Sequence, residues 1–73
     1  MKPVLHIWMW IHNGKLMKAI VNCDKGTVIF YDEHDHMLCI RSGLTPMQTK
    51  QVENHLLQIG AKQVDSSQRF SYL

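Results

Sequence analysis

TPMQTKQVENHLLQIG, residues 45–60, carries the strongest local signals in this 73-residue chain, and all of them specify a helix. Thr45 can cap the first turn through its hydroxyl, and Gln48 stands three residues on, where a capping box needs it. Pro46 falls at the first helical position, where its fixed φ fits and its missing N–H costs nothing. Val52, Leu56 and Ile59 recur as one apolar stripe with Leu57 beside it, and Gly60 is suited to the left-handed stop. Such a stripe must lie against something, and the upstream residues supply a sheet.

Residues 4–11 are rich in β-branched and aromatic side chains and run into Asn13-Gly14, a pair that tolerates the positive φ of a type I′ hairpin. Residues 16–22 read as the returning strand. Asp24-Lys25-Gly26 suits a three-residue loop, residues 27–31 (TVIFY) form a third strand, residues 32–35 a polar tip and residues 37–41 a fourth strand. Ser42-Gly43 releases the chain into the helix. Residues 61–64 suit a short extended piece, residues 65–68 a turn, and residues 70–73 a terminal strand. The fold class is α+β: one domain over residues 1–73, a four-stranded antiparallel β-meander followed by one α-helix packed on one face. The order is ββββα, with room for a short C-terminal fifth strand.

Turn lengths then sort the side chains between two faces. Asn13-Gly14 sets Trp10 opposite Met17, Trp8 opposite Ala19 and Ile7 opposite Ile20. Three-residue loops at Asp24-Lys25-Gly26 and Glu33-His34-Asp35 put Phe30 opposite Ile20 and Leu38. One face becomes aliphatic, with Leu5, Ile7, Met9, Ile11, Leu16, Ile20, Val28, Phe30, Leu38 and Ile40, and it is the expected dock for the helix. The other holds Val4, His6, Trp8, Trp10, Met17, Ala19, Val21, Cys23, Ile29, Tyr31, Met37, Cys39 and Arg41. An aromatic, Met-rich face left open by a single helix marks an interface.

No catalytic or binding motif stands out, so function is read from surfaces. A chain this short has a thin core, which makes self-association a natural source of stability. The expected function is a small non-enzymatic binding protein, associating as a homodimer or with another protein through His6, Trp8, Trp10, Met17, Tyr31, Met37 and Arg41. Cover by the C-terminal segment is a poorer fit, since residues 61–73 hold few apolar side chains. A stacking platform for single-stranded nucleic acid is a rival reading, with Trp8, Trp10 and Tyr31 as rings and Lys2 and Arg41 for phosphates. The net charge of +2 comes from scattered Lys and Arg, which gives that reading thin support, and the near-neutral single helix excludes a helix-turn-helix.

Five histidines raise a second rival, transition-metal binding at the turn spanning Asp32, His34 and His36, with Cys39 beyond. Cys39 would lie about 10 Å further along the strand, so a solvated turn is the plainer reading. His55 reads as a half-buried packing residue, and His6 beside Trp8 as an interface residue able to make association pH-sensitive. Cys23 and Cys39 sit in strands, where small cysteines are usually inert packing, and no Gly-rich loop opens a helix. No enzyme activity, cofactor or metal is therefore expected. Residues 4–11 are interrupted by His6 and too short to span a bilayer, so neither a signal peptide nor a membrane partner is expected. Two cysteines form no disulfide framework, which fits the cytoplasm.

Overall fold

In a computed structural model that describes residues 5–64, five strands and one helix form two layers. The strands are β1 (Leu5–His12), β2 (Lys15–Asn22), β3 (Thr27–Tyr31) and β4 (Met37–Arg41); then come α1 (Pro46–Gln58) and β5 (Lys62–Val64). The sheet order is β4-β3-β2-β1-β5, with antiparallel pairing throughout, so β5 returns to the free edge of β1. The α+β layout and meander are those expected from the turns. The expected strand at residues 70–73, and the placements of Lys2 and Val4, lie outside the described residues.

The first hairpin follows its turn chemistry. Asn13 and Gly14 have φ of 52° and 77°, the type I′ geometry, and Trp8 pairs with Ala19 and Trp10 with Met17. The second loop is one residue longer than expected. Asn22 pairs with Thr27, so Cys23, Asp24, Lys25 and Gly26 all belong to the loop. The cause is the Asn22 side chain, whose Oδ1 accepts the backbone N–H groups of Asp24 and Lys25, each at 3.1 Å, while Gly26 donates to the Asn22 carbonyl. One extra residue moves every β3 side chain to the opposite face. Val28 and Phe30 therefore join Trp8 and Trp10, while Ile29 and Tyr31 join the aliphatic side.

The third turn closes as expected, with Tyr31 opposite Met37, but a register shift follows between Phe30 and Tyr31. Phe30 faces Cys39 in place of Leu38, and Val28 faces Arg41 in place of Ile40. This second slip cancels the first for Cys39 and Arg41, which stay on the tryptophan side.

Both ends of α1 are closed as the sequence implies. The Thr45 hydroxyl accepts from Gln48 N at 3.2 Å, and the Gln48 side chain accepts from Thr45 N at 2.9 Å. At the far end Gly60, with φ of 90°, donates to Leu57 O, and Ala61 donates to Leu56 O, the paired bonds of a Schellman stop.

The helix packs on the tryptophan face, which corrects the expected docking on the aliphatic one. Trp8, Ala19, Val21, Val28, Leu56 and Ala61 form the buried cluster, with Trp10, Cys23, Phe30, Leu44 and Val52 packed against it. Two features explain the choice. Ala19 leaves space over β2 for the helix to approach, and the tryptophan face offers a ring N–H that the helix can satisfy. The helix stripe differs as well. Thr49 and Leu56 are the buried positions, whereas Ile59 ends the helix and is 46% exposed.

Candidate functional site

Two features stand out once the helix is in place. The first is a polar cluster between sheet and helix. The β1 alternation that points Trp8 at α1 points His6 the same way, two residues earlier. Glu53 sits one turn before Leu56, on the flank of the buried stripe. Its Oε2 accepts from His6 Nδ1 at 2.6 Å and from Trp8 Nε1 at 2.9 Å. Cys23, at the start of the second loop, brings Sγ to 3.9 Å from the same His6 nitrogen. Burial and the Glu53 carboxylate push the Cys23 thiol above its ordinary value, against a lowering hydrogen bond from Thr49. All four side chains are wholly or partly buried, the tryptophan most of all at 3% exposed.

Cys, His and Glu in contact invite comparison with a nucleophilic triad, but the arrangement differs from one. A triad runs through both ring nitrogens, one to the nucleophile and one to the orienting carboxylate. Here Cys23 and Glu53 both address Nδ1 of His6. A thiol pushed upward is also the reverse of an activated nucleophile. What the group does offer is three donors of metal-ligand type, an imidazole nitrogen, a sulfur and a carboxylate oxygen, all within 4.8 Å of one another.

The second feature is the opposite side of the sheet. Among the described residues no helix covers it. Leu5, Ile7, Met9, Ile11, Leu16, Ile20, Ile29 and Ile40 share it, joined by Tyr31 and, on β5, by Val64. Ile11 and Ile40 are 67% and 54% exposed, while Ile7, in register with Ile20 and Val64, is buried. Lys18 and Lys62 are its charged members, and the Lys18 ammonium is paired with Asp35.

The residues expected to form one interface are divided by this arrangement. His6, Trp8, Trp10, Met17 and Arg41 lie on the helix side, with Trp10 set edge-on to Phe30 at a centroid distance of 6.4 Å. Tyr31 and its partner Met37 lie on the other side. Trp8, Trp10 and Tyr31 therefore do not make one stacking surface. Glu53 was missed because the polar helix flank gave no sign of which sheet face it would meet. The signal available was the need of a buried indole N–H for an acceptor.

At the third turn, Asp32 Oδ1 accepts from the backbone of His34 and His36 at 2.8 and 2.9 Å, so the carboxylate organises the loop. These hydrogen bonds, that from His36 first, hold the Asp32 carboxyl below its ordinary value. The His34 and His36 rings lie 6.0 Å apart, and among the described residues no group of three metal-type donors gathers at this turn. His55 is exposed on the rim of an open groove shared with Phe30, Arg41 and Gln51, rather than half-buried. No described helix is long and apolar enough to cross a membrane. Comparison with protein-family models, curated proteins and solved structures finds no match to this chain.

Proposed function

We propose that this protein is a small non-enzymatic binding protein that associates with a second copy of itself through the open aliphatic face of its sheet. The observation that carries this reading is the composition of that face. Aliphatic side chains from all five strands form one surface, and among the described residues nothing is packed over it as α1 is over the other side. Exposed patches of that kind mark interaction sites. A second copy suits it because a two-fold stack needs only one self-complementary patch. Twenty-nine strand residues span roughly 450 Å² of sheet per copy at ~3.3 Å rise and ~4.8 Å spacing. A pair thus covers roughly 900 Å² in all, below the standard size of stable complexes, which suits weak association in the micromolar range or above. Both cysteines are free thiols, which supports a reducing compartment such as the cytoplasm.

Sedimentation equilibrium of the full chain, alone and with Ile11→Glu or Ile40→Glu, tests the reading. Both side chains are exposed in the folded protomer, so the substitutions should leave folding intact. A wild-type dimer that becomes monomeric in either variant supports the proposal. A wild-type monomer up to high micromolar concentration contradicts it, and so does a dimer that both variants retain.

A further inference from the structure

We infer that His6, Cys23 and Glu53 form a binding site for one transition-metal ion of the zinc type, with solvent as the fourth ligand. The donor set is the first ground. Imidazole, thiolate and carboxylate are the three side-chain types that zinc accepts, and the thiolate disfavours magnesium and calcium. Spacing is the second. Bonds of ~2.0–2.3 Å around a tetrahedral ion separate its ligand atoms by roughly 3.3–3.8 Å. Cys23 Sγ and His6 Nδ1 already stand 3.9 Å apart. The 2.6 Å contact between His6 and Glu53 needs to open by only about 1 Å, within the reach of small side-chain rotations.

The surroundings are those of a cation site. Trp8 Nε1 donates to the same Glu53 Oε2 that faces His6 and helps to hold the carboxylate in place, the part an outer partner plays in metal sites. On binding, the Cys23 thiol proton leaves to solvent, and the proton that His6 Nδ1 directs at Glu53 passes to Nε2, freeing Nδ1 as a ligand. The His6 and Glu53 side chains are 29% and 15% exposed, enough for an ion and one water to enter. The three ligands come from β1, the second loop and α1, so the ion ties the helix to the sheet in a domain with a small core.

Cobalt(II) reports on the site directly, because a Co–thiolate bond gives an intense near-ultraviolet charge-transfer band. The full-length protein titrated with Co²⁺ should develop that band to saturation at one equivalent, and added Zn²⁺ should remove it. Cys23→Ser should abolish it, whereas Cys39→Ser and the His34→Ala/His36→Ala pair should leave it unchanged. Zn²⁺ should also protect Cys23, but not the exposed Cys39, from alkylation in the wild type, a readout that needs no variant to fold. Absence of the band at several-fold excess of Co²⁺ overturns the inference. So does a band that survives Cys23→Ser, or alkylation of Cys23 at the same rate with and without Zn²⁺.

Discussion

Glu53 on α1 accepts the indole N–H of Trp8 on β1 at 2.9 Å, and this one bond records which side of the sheet the helix covers. A tryptophan that is 3% exposed must find a partner for its ring N–H. Glu53 supplies it and at the same time accepts from His6, so a polar helix residue becomes part of the sheet–helix junction.

Glu53→Ala leaves the Trp8 N–H without a partner in a buried setting. Hydrogen bonds to a charged group contribute about 1.5–3 kcal/mol, and a loss in that range is expected in urea unfolding. Glu53→Gln keeps an acceptor oxygen and should lose less. A shift below half of a kcal/mol for Glu53→Ala would mean that the helix sits elsewhere.

Gly26 and Gly14 separate backbone strain from crowding. Both have positive φ, at 66° and 77°. A Cβ at Gly14 meets nothing within 4 Å, whereas one at Gly26 would stand 2.2 Å from the Leu44 carbonyl oxygen. Gly14→Ala should therefore cost about 1–2 kcal/mol from the left-handed backbone alone. Gly26→Ala should cost clearly more, because it also breaks the Leu44 N–H to Gly26 carbonyl bond that joins the second loop to the helix entrance. Thermal unfolding of the two variants side by side checks the order.

Leu56→Ala should destabilise by about 2–5 kcal/mol, as for a fully buried leucine. Ile59→Ala should stay within about 0.5 kcal/mol, the range of ordinary surface changes, since Ile59 is 46% exposed. Equal effects in chemical denaturation would mean that the helix rotates to bury Ile59.

Asp32 gives the acid side of the stability profile a sign. Its carboxyl is held low by the backbone N–H groups of His36 and His34, so the folded value lies below the unfolded one. The stability it contributes is present above the ordinary carboxylate range and is lost as the pH falls through the depressed value. Asp32→Asn should flatten the acid limb below about pH 4 and leave the neutral region nearly parallel to wild type. An unchanged acid limb would mean that the loop is not organised around this carboxylate.

The helix limits and the first hairpin were legible because each is set by residues next to one another. Thr45 with Gln48, Gly60, and Asn13 with Gly14 each close their own backbone bonds. The make-up of the two faces was not fully legible, because it depends on two single-residue counts. The Asn22 side chain takes Cys23 into the second loop, and the irregularity beside Tyr31 shifts β4 by one more residue. Either slip reverses a strand's faces. Together they return Cys39 and Arg41 to their expected side while moving Val28 and Phe30 under the helix. The His6–Cys23–Glu53 group followed the same logic. His6 and Cys23 were readable as members of one face, but Glu53 reaches them only when the helix takes that face.

Solvent paramagnetic relaxation measured on the methyl groups of the full chain, at high and low protein concentration, tests the central claim most directly. The account predicts that Val21 and Val28 are shielded at both concentrations. Ile11 and Ile40, the exposed isoleucines of that face, should be shielded only in the concentrated sample and become exposed on dilution. Isoleucine methyls exposed at both concentrations would show that no second copy covers the face, and isoleucine methyls shielded at both would show that the chain covers it itself. Either result contradicts the account.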